Sequence, residues 1–447
     1  MTSTDSADPL SQPPHPHPSS NGRGAPPRRR GEGLRIALLY NLAQNAPALG
    51  GDAPADALDE LDTQKNVEAY AAALRAAGHT VFPMEGDVSL AARLRRLRVD
   101  VAFNTCEGYV GDSREAQVPA LLEMLGIPYT AAAVLGLSLT LDKAMTKRVL
   151  AYHGLPTPRF QEFFTADDPL DPTLRFPLFI KPNREGTGKG ITGKSIVNSQ
   201  AELRHYVGYL LKHYRQSVLV EEYIDGRDLT CGLVGNLATA ALNAPIPLDA
   251  LRSKDGVGVD YAGVHFFPIS EVDYTVYEPG TEPVYSNRLK VELADRYRGL
   301  CPAPLAEDVA VEIRRLTLET FRRTQSVDVC RVDFRLDRQS GPHAQPQILE
   351  INSLPGLTPI SDLTLCAEAE GWSHADLIVA VMNAAIGRHR LTPKANGKAA
   401  GRATRAAQVA PGPVVESSFQ PSLSAPSSVS AGDFHVSHSQ SRFARQS

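Results

Sequence analysis

The chain has 447 residues, of which 42% are hydrophobic and 21% charged, with a net charge of −4. Those proportions suit a globular chain of two or three domains, and no apolar run approaches the roughly 20 residues that a membrane span requires. Residues 1–33 carry +1 and residues 392–447 carry +4, which leaves −9 for the body; a mildly acidic body lacks the basic footprint of a nucleic-acid binder.

Residues 1–33 are rich in Pro, Ser, Gly and His, and residues 392–447 in Ala, Ser, Pro and Gln. Neither end can bury enough apolar surface to offset chain entropy, so both are predicted to be disordered tails. The run Arg28–Arg30 reads as part of a solvated linker. The polar N-terminus has no apolar core of a signal peptide. The five cysteines (Cys106, Cys231, Cys301, Cys330 and Cys366) are scattered, with no C-x-x-C. That pattern predicts free thiols in the reducing cytoplasm and speaks against a structural zinc site.

In chain order, LRIALLY (Leu34–Tyr40) is a buried strand, followed by a loop rich in Gly, Ala and Pro. Leu61–Gly78 reads as a helix, His79–Met84 as a strand, Leu90–Arg98 as a helix and Val99–Asn104 as a strand. This alternation predicts a parallel α/β domain over residues 34–138, with any ligand beyond the carboxyl ends of its strands. The loop Asn104–Glu115 lies at such an end, and either faces a substrate or is plain flexible loop. Gln117–Thr130 is a helix stopped by Gly126 and then a short strand.

Asp142 is placed to cap a helix carrying Lys143 in its first turn, where a cation does not complement the helix dipole. FPLFIKP delivers Lys181 on a strand, and NREGTGKGIT is a Gly-rich loop holding Lys189. Exposed amides of such a loop can cradle phosphate, although the spacing is not that of a Walker A loop. SVLVEEYIDGRDLTCGLVGN gives two strands around a turn. Glu221 and Glu222 are then either an ordinary strand end or acceptors lining an adenine pocket.

VDVCRVDFRLD and QILEINSLPGLT alternate as half-buried strands do. Side chains two apart share a face, so Arg331 with Asp333, and Glu350 with Asn352, should form one polar surface. Val332, Phe334, Leu349 and Ile351 should form the apolar underside. Hard oxygen ligands grouped in this way suit Mg²⁺ sharing its shell with substrate phosphates. The plainer alternative is a solvated face with an ordinary salt bridge.

Together LLEMLGIPYT, LDKAMTK, FIKPNREGTGKGIT, VLVEEYIDGRDLT, CPAPL, CRVDFRLD and LEINSLPGLTPIS resemble the D-alanine–D-alanine ligase branch of the ATP-grasp superfamily, over roughly residues 34–389. The resemblance implies a parallel α/β domain (34–138) followed by a two-part ATP-grasp domain, with a central subdomain at 139–216 and a C-terminal subdomain at 217–391. It implies that Lys143, Lys181 and Lys290 (Arg288 being the alternative) contact ATP phosphates. Glu221, Glu222 and Ile224 would read adenine, and Asp228 the ribose. Asp333, Glu350 and Asn352 would hold two Mg²⁺ ions, with Mn²⁺ as a substitute. Arg331 and the Gly356 amide would stabilise an oxyanion, and Ser361 would hold the second substrate's carboxylate.

The implied activity is ATP-dependent joining of a carboxylate to an amine through an acyl phosphate, with small amino-acid-like substrates and a homodimer by analogy. The alternatives are a ligase for other amino acids or small peptides, and a nucleotide-binding protein without catalysis. Three departures fall on the first-substrate side. Asn41–Asp62 lacks the family's amine-binding Glu, Thr187 replaces the loop serine, and Val291 replaces the tyrosine after the phosphate lysine. The loop Asn104–Glu115 also lacks the family's His-Gly start.

Overall fold

A computed structural model describes residues 33–392, apart from 49–52, 255–256, 278–283, 292–298, 339–340 and 342–343. Residues 1–32 with Arg28–Arg30, residues 393–447 and the side chain of Val291 lie outside the described residues, and so do the expectations made for them. The described chain carries three sheets.

In the first sheet Arg35–Tyr40 lies between Thr80–Glu85 and Val101–Asn104 and is parallel to both. Ile36, Ala37, Leu38 and Leu39 are fully buried, as a central strand covered on both faces requires. Pro83 is accommodated because Thr80–Glu85 is an edge strand. The helix Gln64–Ala76 starts later than its apolar pattern suggested, because Thr63 caps it by accepting from the Asn66 amide at 3.3 Å. Gly126, at φ 64°, ends Gln117–Leu125 as read from the sequence, but the short strand after it is reduced to a single bridge between Ala102 and Tyr129.

A helix far along the chain, His374–Arg388, completes this layer. Its Leu377, Ile378, Val381 and Ala385 share one core with Ile36, Leu38 and Tyr70. Arg388 anchors its end, donating to the fully buried Asp328 at 2.6 and 2.9 Å.

The second sheet is antiparallel, in the order Phe160–Phe163, Val218–Glu222, Leu178–Pro182, Ile196–Val197. It therefore runs across the expected 216/217 division. Its underside packs on Gln200–Tyr214, where Leu203, Val207 and Leu210 are fully buried, each stabilising by about 1.5–3 kcal/mol.

The third sheet is built on the long strand Gly226–Gly235, paired antiparallel with Val329–Asp337, which pairs in turn with Gln347–Asn352. Val332, Phe334, Ile348 and Ile351 form its apolar underside, in one core with Ile313, Leu316 and Phe321 of the helix Glu307–Arg323.

Candidate active site

The polar face of the third sheet is set by register. Arg331 lies opposite Asn352 and Asp333 opposite Glu350, so all four side chains share one surface. The pairing then slips between Asp333 and Phe334, and Phe334 faces Ile348. This bulge turns Leu349, expected on the underside with Val332, into the lining of a cleft beside Glu350. An extra residue in one strand shifts its alternation by one, which sequence alternation alone does not reveal.

That cleft, of about 920 Å³, opens between the second and third sheets. It gathers Lys143, Lys181, Glu221, Asp228, Lys290, Asp333 and Glu350, together with the stretch Glu222–Ile224. Arg331, Asn352, Gly356 and Ser361 do not line it, although Arg331 and Asn352 share the sheet face of Asp333. Arg288, the alternative to Lys290, is exposed.

Three elements aim cations into the cleft. Lys143 sits in the first turn of Lys143–Tyr152, which Asp142 caps by accepting from the Met145 amide at 2.9 Å. Its ammonium is 3.5 Å from Glu350 and donates to the Glu185 carbonyl. Lys181, on the strand Leu178–Pro182, is 2.9 Å from Glu221. Burial alone would lower its pKa, but Glu221 and Glu350 raise it above the ordinary lysine value. Lys290, on the short helix Asn287–Val291, lies over the Tyr285 ring at 4.5 Å. For Glu350, burial pushes upward, yet Lys143 and Lys181 hold it well below the carboxylate range.

Lys147 was not singled out from sequence. It is fully buried and reaches Glu221 at 2.8 Å and the Thr157 hydroxyl at 2.7 Å. Thr157 in turn donates to the Ile348 carbonyl at 2.8 Å. Glu221 is thus held by two ammonium groups, one on each oxygen. Burial raises its pKa, and Lys147 and Lys181 bring it below the ordinary value. Burial lowers Lys147 to about 8. The available signal was spacing: four residues after Lys143, Lys147 shares its helix face.

Glu222 is placed differently from Glu221. Its carboxylate is held by the Arg159 guanidinium at 2.9 and 2.5 Å. The Ile224 carbonyl accepts from Arg335 at 2.9 Å. Asp228 accepts from Arg335 and from the Tyr274 hydroxyl, both through Oδ2, so Oδ1 keeps its accepting capacity. Arg335 was also missed, although it stands four residues after Arg331.

Arg331 grips Asp333 through two bonds of 3.0 and 2.9 Å and lies 3.4 Å from Asp362. Asp333 also accepts from Thr230 at 2.8 Å. Gly356 is exposed, and a Cβ built on it would lie 3.8 Å from that of Ser361. Ser361 occupies the N-cap position of the helix Asp362–Ala369 without a side-chain capping bond, its hydroxyl donating instead to the Thr358 carbonyl at 3.0 Å.

The Gly-rich loop differs from expectation. The amides of Lys189, Gly190 and Ile191 are bonded to Gly186 O, Asp56 and Gly188 O at 2.9, 2.8 and 3.0 Å, so they do not cradle phosphate in this conformation. Thr187 holds φ 50°, a strained value for a β-branched residue. Gly188 has no Cβ because one would stand 2.7 Å from the Asn287 amide; its absence lets the loop close on the helix carrying Lys290. Lys189 is taken by Glu60 at 2.5 Å and by Glu185, and Arg114 reaches Glu60 at 2.7 Å. Burial would raise the Glu60 pKa, but Arg114 and Lys189 lower it to about 2. Neither Glu60 nor Arg114 carried a motif.

The D-ala D-ala ligase C-terminus family model matches residues 149–247 and 271–383. The D-alanine–D-alanine ligase of Bordetella avium is 31% identical over 327 residues, covering 73% of this chain and 90% of the relative. The chain belongs to the D-alanine–D-alanine ligase family. An uncharacterized protein of Sinorhizobium fredii, y4sG, is 33% identical over 330 residues, covering 72% of this ligase and 88% of the relative. The crystal structure of the Bacillus anthracis D-alanine–D-alanine ligase complexed with ATP shares the fold. It has a TM-score of 0.56 and 19% identity, and the match covers 80% of this chain and 99% of that one. As a member of the family, this chain is an ATP-dependent ligase of the ATP-grasp type. Among its described residues no helix is long and apolar enough to cross a membrane.

The residues present fit a divalent cation bound together with phosphate. Asp333 and Glu350 face each other across the hairpin with Asn352 beside them, and nearby ammonium groups keep Glu350 ionised. Two carboxylates and one carboxamide are too few for a closed protein cage, and suit Mg²⁺ completed by water and phosphate oxygens.

Proposed function

We propose that this ligase phosphorylates the carboxylate of one small amino-acid-like substrate with ATP and joins the resulting acyl phosphate to the amine of a second. The observation that supports this best is the hairpin register, which puts Asp333 against Glu350 on the surface faced by Lys143, Lys181 and Lys290.

In this reading Glu221, ionised between two lysines, accepts from the adenine amine, and the backbone of Glu222 and Ile224 borders the base. Asp228 receives the ribose through its open Oδ1. Lys143, Lys181 and Lys290 neutralise the phosphates, since phosphoryl transfer depends on positioning and charge. Asp333, Glu350 and Asn352 would hold two Mg²⁺ ions, which would offset phosphate charge when bound.

The donor carboxylate oxygen forms a bond to the γ-phosphorus as the β–γ bridge breaks, and ADP leaves. The acceptor nitrogen then bonds to the acyl carbon, the acyl carbon–oxygen bond to phosphate breaks, and the amine sheds a proton. In this reading Arg331 and the Gly356 amide supply the fixed donors that an oxyanion between these steps needs. Ser361, at a helix N-terminus, receives the acceptor's carboxylate. D-alanine as the acceptor is the leading assignment, drawn from the relatives' names, and the donor position is less restricted to D-alanine. Cytoplasmic residence and a homodimer belong to the same reading.

The test is a phosphate-release screen of the full chain with ATP, Mg²⁺ and pairs of D- and L-amino acids. Release that requires an amino-acid donor and acceptor is expected. Release indifferent to both, or none with any pair, refutes the reading.

A further inference from the structure

A second cleft, of about 1180 Å³, adjoins the first, and among the described residues Glu185 and Lys189 line both. One wall comes from the segment that departs from the family pattern, through Pro47, Pro54, Ala57 and Leu58. Arg184, Val110 and the end of the helix Gln200–Tyr214 line it as well.

We propose that this second cleft receives the tail of the acyl donor, and that the donor is therefore an amino acid with a side chain longer than alanine's, or a dipeptide. The inference rests on the ligase reading above and specifies its first substrate.

Three observations carry it. The two clefts adjoin at Glu185 and Lys189. The Lys189 ammonium pairs there with Glu60 and Glu185, and a different rotamer of its long side chain would join the two spaces. The cleft is also held in shape, because Asp56 accepts from the Gly190 amide at 2.8 Å and from the Tyr214 hydroxyl at 2.9 Å. Those bonds tie the divergent segment to the Gly-rich loop. Finally, the lining suits an amphipathic chain. Pro47, Pro54, Leu58 and Val110 offer apolar surface. Arg184, paired with Asp112 at 3.1 Å, and Glu185 offer both signs of charge to an amino group or a peptide unit. A donor as small as alanine, activated beside Glu350, would leave this space to water.

The experiment measures kcat/KM by phosphate release with ATP, Mg²⁺ and a working amino-acid acceptor. The donors are alanine, leucine and alanylalanine in both stereochemical series. Wild type is compared with Ala57→Trp and Val110→Trp, each of which fills the cleft from a different segment of its lining. Leucine or alanylalanine is expected to exceed alanine by at least about tenfold, the scale on which one or more methylenes discriminate. Each tryptophan should remove at least about tenfold of that preference while leaving the alanine donor and ATP affinity nearly unchanged. Alanine as the best donor, or equal losses for all donors at unchanged ATP affinity, overturns the inference and leaves the ligase reading intact. No release with any donor in wild type overturns the ligase reading, and this inference falls with it.

Discussion

Lys147→Met tests the buried ion group that holds the adenine acceptor. The substitution keeps the length of the aliphatic stem and removes an ammonium that is 0% exposed. Glu221, at 2% exposure, loses the partner 2.8 Å from one oxygen and keeps Lys181 at 2.9 Å on the other. Removing one member of a buried pair costs about 3–5 kcal/mol. Because Lys181 remains, the expected loss is at the lower end, about 3 kcal/mol. Thr157→Val breaks only the neutral end of the same chain of bonds and should cost about 1 kcal/mol.

Glu221 is also the group assigned to the adenine amine, and a charge-assisted bond of that kind is worth about 1.5–3 kcal/mol. Its disorder in Lys147→Met should weaken ATP binding by roughly tenfold or more. Stability is read by urea unfolding followed by circular dichroism, and affinity by ATP titration under native conditions. A Lys147→Met protein as stable as wild type with the same ATP affinity would refute the view that Lys147 holds Glu221 in place. Should the variant not fold, Thr157→Val still decides whether the chain of bonds contributes.

Glu350→Ala should abolish Mg²⁺-dependent turnover, by at least about a hundredfold, with unchanged circular dichroism, since its side chain is on the open face of the sheet; normal turnover at ordinary Mg²⁺ would remove it from the metal set. Lys181→Ala should weaken ATP binding by about 1.5–3 kcal/mol, and an unchanged titration would count against it as a phosphate lysine. Burial lowers the His265 pKa, but Glu370 at 2.6 Å and Asp260 at 2.7 Å raise it above the ordinary value. A raised folded pKa means stabilisation that is complete below about pH 6.5 and lost as pH rises through the folded value. His265→Gln should therefore flatten melting temperature against pH on the alkaline side of that point, and an unaltered profile would show that the pairs contribute nothing. Truncation to residues 34–391 should leave melting temperature and rate nearly unchanged, because tails of this composition bury little; a clear loss of turnover would show that one of them acts at the site.

Much of this protein was legible from local chemistry. Alternation along Cys330–Leu336 and Glu350–Asn352 determined which side chains share a face, because side-chain direction in a strand has period two. The strand–helix order up to Asn104 determined a parallel sheet, since short crossovers allow little else. Motif order carried the resemblance that the family comparisons then supported. Other features depend on partners distant in sequence. The bulge at Leu349 depends on how the strand Gln347–Asn352 pairs with Val329–Asp337, Asp333 with Glu350 and Phe334 with Ile348, and so Leu349 reached the cleft unannounced. Lys147 matters because Glu221, 74 positions later in the numbering, folds back onto it. Glu60, Arg114 and Lys189 meet only when the first sheet's loops close on the Gly-rich loop. A charge's worth is decided by what buries and faces it, and that is a property of the folded chain alone.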